Sequence, residues 1–307
     1  MHPLRVVLPL LAIALLGGCR SAAVEAPASA AVPPEEHVAD EERLVERNTF
    51  AVRVVGHGPD VVLIPGLTCG GHVWDATVSH LRGQRTVHVL TLAGFAGRPS
   101  AAGDEFLPGV RKELAEYLRG LQRPVVIGHS LGGFMALWLA STEPDALAGA
   151  VAVDGLPALG ALMARDTDAI RAMAEQMRQQ MAGQSQAEFA EQTAQTLLVQ
   201  ISDPDEARRV AEVSGRSDPA VVGQAMAELL TTDLRRQVAR ISAPVLLLGA
   251  GAGTASQLEA RTQQYRAQID AIPHHELVMV PDTRHFVMLD APEVFLQHVD
   301  EFLERAQ

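Results

Sequence analysis

Gly128-His129-Ser130-Leu131-Gly132, with Gly133 behind it, follows the apolar run Pro124 to Ile127 and opens the apolar stretch Phe134 to Leu139. That order predicts a strand, one sharp turn and a helix, and it singles out Ser130 as the residue placed for chemistry. A serine at the tip of so tight a bend has strained dihedrals, and strand and helix pack closely around it. The positions two before and two after must therefore lack a Cβ, as Gly128 and Gly132 do. The bend lifts Oγ above the sheet and leaves the Leu131 N–H at the helix start, where it can donate to a developing oxyanion. Glycines around a serine also cap helices, but the strand before and the apolar helix after favour a nucleophile.

The chain on both sides of this turn sets the fold class. Two extended segments, Val45 to Val55 and Asp60 to Pro65, are separated by Gly56-His57-Gly58-Pro59, which reads as a hairpin turn. Strands are expected over 86–92, 124–128 and 149–154, with helices over 72–81, 105–120 and 131–142 between them. The alternation argues for an α/β fold with a mostly parallel sheet covered on both faces. From Leu156 to Val238 no strand is expected and four helical runs appear, 168–181, 186–201, 204–214 and 219–230. The alternation then resumes with strands at 244–249 and 276–280 and helices at 256–269 and 292–303. The core is accordingly assigned to 43–155 and 239–307, and the insertion at 156–238 to a helical cap. Met163, Met173, Met177, Met181 and Met226 of that cap are either core filler or the lining of an adaptable acyl pocket.

A serine hydroxyl needs a base. His285, in the loop Pro281 to Phe286 between the last strand and last helix, is the candidate, because that loop leaves the sheet at the end where Ser130 sits. His129 is directed away from Oγ, and His274 and His275 precede their strand at the wrong edge. An acid is expected after the penultimate strand, yet Gly249 to Ser256 holds no carboxylate. One strand earlier, Asp154-Gly155 ends a buried strand beside that of Ser130, and Asp154 is the candidate third member. Glu259, Asp270, Asp282 or no close acid at all are the alternatives. The second oxyanion donor is assigned to the backbone N–H of Leu67, in the Pro65-Gly66-Leu67 turn. Cys69 is close by but has no base delivered by a comparable turn, and it reads as a small buried residue.

Pro65-Gly66, Gly128 to Gly133 and Arg284-His285-Phe286 together resemble the α/β-hydrolase family, in its compact form with a helical cap. The resemblance spans residues 43 to 307, and Asp290-Ala291-Pro292-Glu293 resembles the start of that family's last helix. It implies hydrolysis through an acyl-enzyme on Ser130, of a carboxylic ester first. Amide, thioester, lactone and carbon–carbon bonds use the same parts, and a non-catalytic binding protein on this fold is the reading from another class. It implies no cofactor and no metal, and a small-molecule acyl substrate.

Composition closes other classes. The 307 residues are 48% hydrophobic and 20% charged with a formal net charge of −12, and Lys112 is the one lysine. With no basic stripe and no phosphate-binding fingerprint, nucleic acid is not an expected partner. His2 and Arg5 precede the apolar run Val6 to Leu16, too short for an ordinary spanning helix and shaped like an export signal over residues 1–18. Leu16-Gly17-Gly18-Cys19 resembles a bacterial lipobox, which implies cleavage before Cys19 and lipid (palmitate) on it as the membrane anchor. Arg20 in place of Asp then implies the periplasmic face of the outer membrane. A plain signal with a periplasmic or secreted product is the other reading. Residues 19–42, rich in Ala, Pro and Glu, are expected to form a disordered tether. Without Cys19, Cys69 has no partner for an internal disulfide.

Overall fold

A computed structural model describes residues 42–101, 105–164 and 166–306, so the expected signal at 1–18, the lipid-anchor Cys19 and all but the last residue of the tether expected at 19–42 lie outside the described residues. Eight strands form one sheet: β1 (Arg43–Glu46), β2 (Phe50–Gly56), β3 (Asp60–Ile64), β4 (Thr86–Leu92), β5 (Val125–His129), β6 (Gly149–Val153), β7 (Val245–Gly251) and β8 (His275–Pro281). Their order is β1-β2-β4-β3-β5-β6-β7-β8. The β1–β2 and β2–β4 pairs are antiparallel and every later pair is parallel.

The expected hairpin between the second and third strands does not form. Strand β4 lies between them, and the hairpin is β1–β2 instead, which breaks the single extended segment read at 45–55 after Glu46. The reason lies in β3, whose Val61 to Ile64 are completely buried. A strand apolar on both faces takes an interior place between parallel neighbours, here β4 and β5. Gly56 and Gly58, at φ of 82° and 109°, still turn the chain, against the backbone of Arg82 to Arg85.

Side chains alternate between two core layers. Val62, Ile64, Val126, Ala150 and Ala152 face α2 (Phe106–Leu118) and α3 (Leu131–Thr142). Val61, Leu63, Ile127, Val151 and Val153 face the other side, where α1 (Asp75–Leu81) packs. The alanines of β6 lie under α3, where a Cβ on Gly133 would stand 3.4 Å from the Ala152 Cα, so strand and helix approach closely.

The inserted cap consists of α4 (Gly160–Met163), α5 (Thr167–Ala182), α6 (Gln186–Gln200), α7 (Pro204–Ser214) and α8 (Pro219–Thr231). Local chemistry starts these helices. The side chains of Asp166, Asp203 and Asp218 accept first-turn N–H groups, prolines open α7 and α8, and Ser185 with Glu188 forms a reciprocal capping box. After β7 come α9 (Ala255–Ile269), the short α10 (Val287–Asp290) and α11 (Pro292–Arg305), whose Phe295 and Val299 are fully buried in the α1-side layer.

Candidate active site

Parallel strands send their C-terminal ends to one edge of the sheet, and three of those ends carry the candidate residues. Ser130 follows β5 at φ 54° and ψ −114°, a conformation that costs an L-residue energy and is held by its neighbours. Its N–H donates to the Val153 carbonyl at 2.8 Å, and its own carbonyl accepts the Phe134 N–H at 2.9 Å. The glycines are required by contact. A Cβ on Gly128 would lie 2.0 Å from the Gly132 oxygen, and one on Gly132 would lie 2.2 Å from the Ile64 oxygen. Because those obstacles are backbone atoms, Gly132→Ala is expected to destabilise the protein by at least about 3 kcal/mol, read as a fall in the urea midpoint; an unchanged midpoint would contradict this packing.

Asp154 follows β6 and His285 follows β8, with β7 between those strands. Their side chains meet over the end of β7, His285 Nδ1 to Asp154 Oδ2 at 2.6 Å. A carboxylate only accepts, so Nδ1 carries the proton and Nε2 is left as the free lone pair. The other oxygen, Oδ1, accepts the Ala250 N–H at 2.9 Å and the Tyr265 hydroxyl at 2.7 Å. Burial alone would raise the Asp154 pKa, but the three donors outweigh it and hold the carboxyl below the usual range. Burial and the neighbouring Asp154 charge push the Tyr265 phenol upward, which keeps it a donor. The glycine after Asp154 also has a cause, since a Cβ on Gly155 would lie 2.5 Å from the Ser130 oxygen.

Tyr265 and the Ala250 N–H escaped sequence reasoning. The empty stretch after β7 supplies a backbone donor to the acid in place of the acid itself. Of the alternatives, Asp270 faces His275 at 4.0 Å and Glu259 accepts from Gln263 at 3.5 Å. Asp282 sits in the His285 loop at φ 58°.

His129 points into the core beneath His285, with ring centroids 4.7 Å apart, and its Nε2 donates to the His285 carbonyl at 3.0 Å. Its Nδ1 is buried and bare. A Cβ on Gly66 would come within 2.7 Å of that atom, so Gly66 is the space His129 occupies. Burial, then the neighbouring His285, drive the His129 pKa down to about 3. His72 is lowered to about 4, by burial and then Arg209, and His88 is lowered by burial. In each case the unfolded chain binds a proton that the folded chain refuses, so stability is full above the unfolded pKa near 6.5 and falls as pH drops below it. We expect the denaturant midpoint to fall steadily from pH 7 to pH 4.5, with His129 alone accounting for about 2–3 kcal/mol. A flat midpoint across that range would show that these rings are not buried neutral.

Leu67 lines the same cavity as Ser130, in a turn closed by the Cys69 N–H to the Gly66 carbonyl at 3.1 Å. Among the described residues no hydrogen bond is formed by the Leu67 N–H or by the N–H of Leu131, the first residue of α3. Cys69 itself is buried with its Sγ 3.6 Å from the Ser214 hydroxyl, and burial raises its pKa to about 11, which keeps it an unreactive thiol.

Ser130, Asp154 and His285 open together into a cavity of about 300 Å³ between core and cap, where Leu156, Met181, Phe189, Met226 and Leu229 supply apolar wall. Met181 and Met226 are thus the methionines of the cap that reach it, while Met163 is 54% exposed. The cap is fastened to both loops of the site. The Ser217 hydroxyl lies 2.9 Å from the Thr68 carbonyl and accepts the Ala96 N–H at 2.8 Å. Asp290 accepts the Ser202 N–H at 2.8 Å and the Arg284 N–H at 2.6 Å. Ser130 and His285 both face this cavity, with no hydrogen bond between their side chains among the described residues. Among the described residues no group of His, Cys, Asp and Glu could hold a metal ion, and no helix is long and apolar enough to cross a membrane.

The profile of a family described as "Alpha/beta hydrolase family" matches residues 61–298. A pimeloyl-[acyl-carrier protein] methyl ester esterase of Nitrosomonas europaea is 27% identical over 262 residues, 81% of this chain and 97% of that one. The enzyme of the same name from Aeromonas salmonicida is 34% identical over 119 residues, but that match spans only 38% of this chain and 45% of its own. Among solved structures, one from a study of carboxylesterases of Nitrososphaera gargenis superposes with a TM-score of 0.68 at 17% identity, covering 86% of this chain and 98% of that one.

Proposed function

The chain belongs to the α/β-hydrolase family, and from that premise we propose that it is a serine hydrolase of carboxylic esters, with Ser130 as nucleophile, His285 as base and Asp154 as the acid that orients it. The observation that carries this reading is the Asp154–His285 pair. At 2.6 Å it fixes the imidazole tautomer with Nε2 free, in a cavity that also holds a strained serine. The relatives named as esterases support the choice of bond.

The steps follow from the residues. His285 Nε2 takes the Ser130 hydroxyl proton as Oγ attacks the ester carbonyl, and Asp154 offsets the charge on the imidazolium. The carbonyl oxygen, now an oxyanion, is held by the Leu131 and Leu67 N–H groups, each worth about 3 kcal/mol in such sites. The tetrahedral intermediate collapses, the C–O bond to the alcohol breaks, and His285 returns the proton to the departing oxygen. Water then attacks the acyl-enzyme by the same route and releases the acid. Reaction with a fluorophosphonate should label Ser130 alone, at one equivalent, and abolish hydrolysis of p-nitrophenyl esters in step. Labelling elsewhere, or full activity after complete labelling, would overturn the assignment.

For location, we infer an exported protein anchored through lipid on Cys19. The apolar run Val6 to Leu16 followed by Leu16-Gly17-Gly18-Cys19 supports this reading. In cells, Cys19→Ala should move the protein from the detergent phase to the aqueous phase on Triton X-114 partition; equal partition of both forms would exclude the anchor.

A further inference from the structure

We propose that the cavity selects neutral esters carrying a second, uncharged hydrogen-bonding group, a ketone, amide, ester or hydroxyl, and that Gln200 and Thr193 of α6 read that group. The inference rests on ester hydrolysis at Ser130 and names its substrate class.

The groups that face the cavity determine which ligands it can hold. Its titratable members are Asp154, His129 and His285, with no lysine or arginine among them. A carboxylate on the substrate would be desolvated with no counter-ion and with the Asp154 charge nearby, which is costly. An ammonium group would find the Asp154 oxygens already engaged by three donors. A charged substituent of either sign would therefore have to shed its water without a free ion-pair partner in the cavity. A purely hydrocarbon ligand would waste the other wall, because α6 presents polar side chains to the cavity beside apolar ones.

Two of those side chains make no hydrogen bond at all among the described residues. The Thr196 hydroxyl donates to the Gln192 carbonyl at 2.9 Å, and the Gln192 side-chain oxygen accepts from Gln184. The Thr193 hydroxyl and the Gln200 amide, by contrast, make no hydrogen bond among the described residues, although Thr193 is only 8% exposed. Thr193 and the half-buried Gln200 thus bring unused hydrogen-bonding capacity to the cavity wall, which water or a polar group of the ligand can take up. Gln200 also abuts the base loop, its carbonyl accepting the Phe286 N–H at 3.4 Å. Thr193 lies seven residues back on the same helix face, about 10 Å along its axis. A hydrogen-bonding ladder thus runs from beside His285 into the cap, at a length that suits a substrate of modest size in a cavity of about 300 Å³.

The test uses three ethyl esters of matched length: ethyl 6-oxoheptanoate, ethyl heptanoate and monoethyl adipate. They place a ketone, a methylene and a carboxylate at the same distance from the scissile bond. With the full chain, kcat/KM for the ketone ester should exceed that for the heptanoate about 10-fold and that for the adipate at least about 100-fold. Gln200→Leu should erase the ketone-over-hydrocarbon ratio, chiefly through KM, and Thr193→Val should reduce it. Adipate cleaved within about threefold of the ketone ester, or a ratio unchanged in both variants, would overturn the proposal. Calorimetric binding of the three esters to Ser130→Ala separates the two readings. Preferential binding of the ketone ester without hydrolysis by the unmodified chain would sink ester hydrolysis and keep the recognition. Equal binding of the adipate would sink the recognition itself.

Discussion

Alanine at position 130 is expected to lower kcat for ester hydrolysis by about 10⁶ while the protein stays folded. The loss is that large because the substitution removes the atom that forms the covalent intermediate, and the oxyanion donors with substrate positioning then provide what catalysis is left. Folding should be spared, since the backbone strain at φ 54° exists with serine already and its anchors are main-chain bonds to Val153 and Phe134. Steady-state kinetics beside a thermal melt decide the matter. Retention of more than about 1% of turnover by pure, folded variant would mean that another group attacks the ester. Cys69, the thiol next to the Leu67 turn, is buried and has its pKa raised to about 11, which disqualifies it at neutral pH.

Asp154→Asn should lower kcat by about 10⁴, again without unfolding, and the hydrogen bonds say why. The Ala250 N–H and the Tyr265 hydroxyl both donate to Oδ1. In the asparagine variant the carbonyl oxygen must take that position, which turns the amide NH₂ toward His285 Nδ1. Nδ1 then has to accept, so the ring proton moves to Nε2 and the base is blocked on the side that faces Ser130. The variant should therefore fail in kcat with little change in KM, and its melting temperature should stay within a few degrees of the unmodified protein. Turnover within about tenfold would show that His285 is oriented by some other group.

The features legible in the sequence are those whose cause is local. The turn at Ser130 needed glycines two residues away on each side because backbone atoms lie within about 2 Å of where their Cβ would be. The cap helices were legible as four helical runs, and the structure starts three of them with Asp203-Pro204, Asp218-Pro219 and the Ser185–Glu188 box, each of which acts within one turn of chain. The position of His285 at the Ser130 end of the sheet was legible because the end at which a parallel strand exits is set by chain direction alone. The Gly56 to Pro59 turn misled because two glycines and a proline mark where a chain turns but not what it pairs with afterwards. The choice of neighbour was made by the burial of β3 on both faces, a property of the whole sheet.

What the sequence determined by itself was the alternation of strands and helices, the strained serine, the place of His285 at the same end of the sheet and the short list of acids that could meet it. These depend on dihedral preference, apolar periodicity and chain order, which are carried by neighbouring residues. Tertiary structure decided which acid the base would meet. Strand order places β7 between β6 and β8, so that Asp154 and His285 reach each other over its end at 2.6 Å. It also brought Tyr265 onto Asp154 from 111 residues away, and turned Thr193 and Gln200, rather than most of the cap methionines, toward the cavity. Such contacts are set when helices and strands pack, because the orientation of a helix about its own axis is chosen by all the surfaces it buries and not by its own pattern alone.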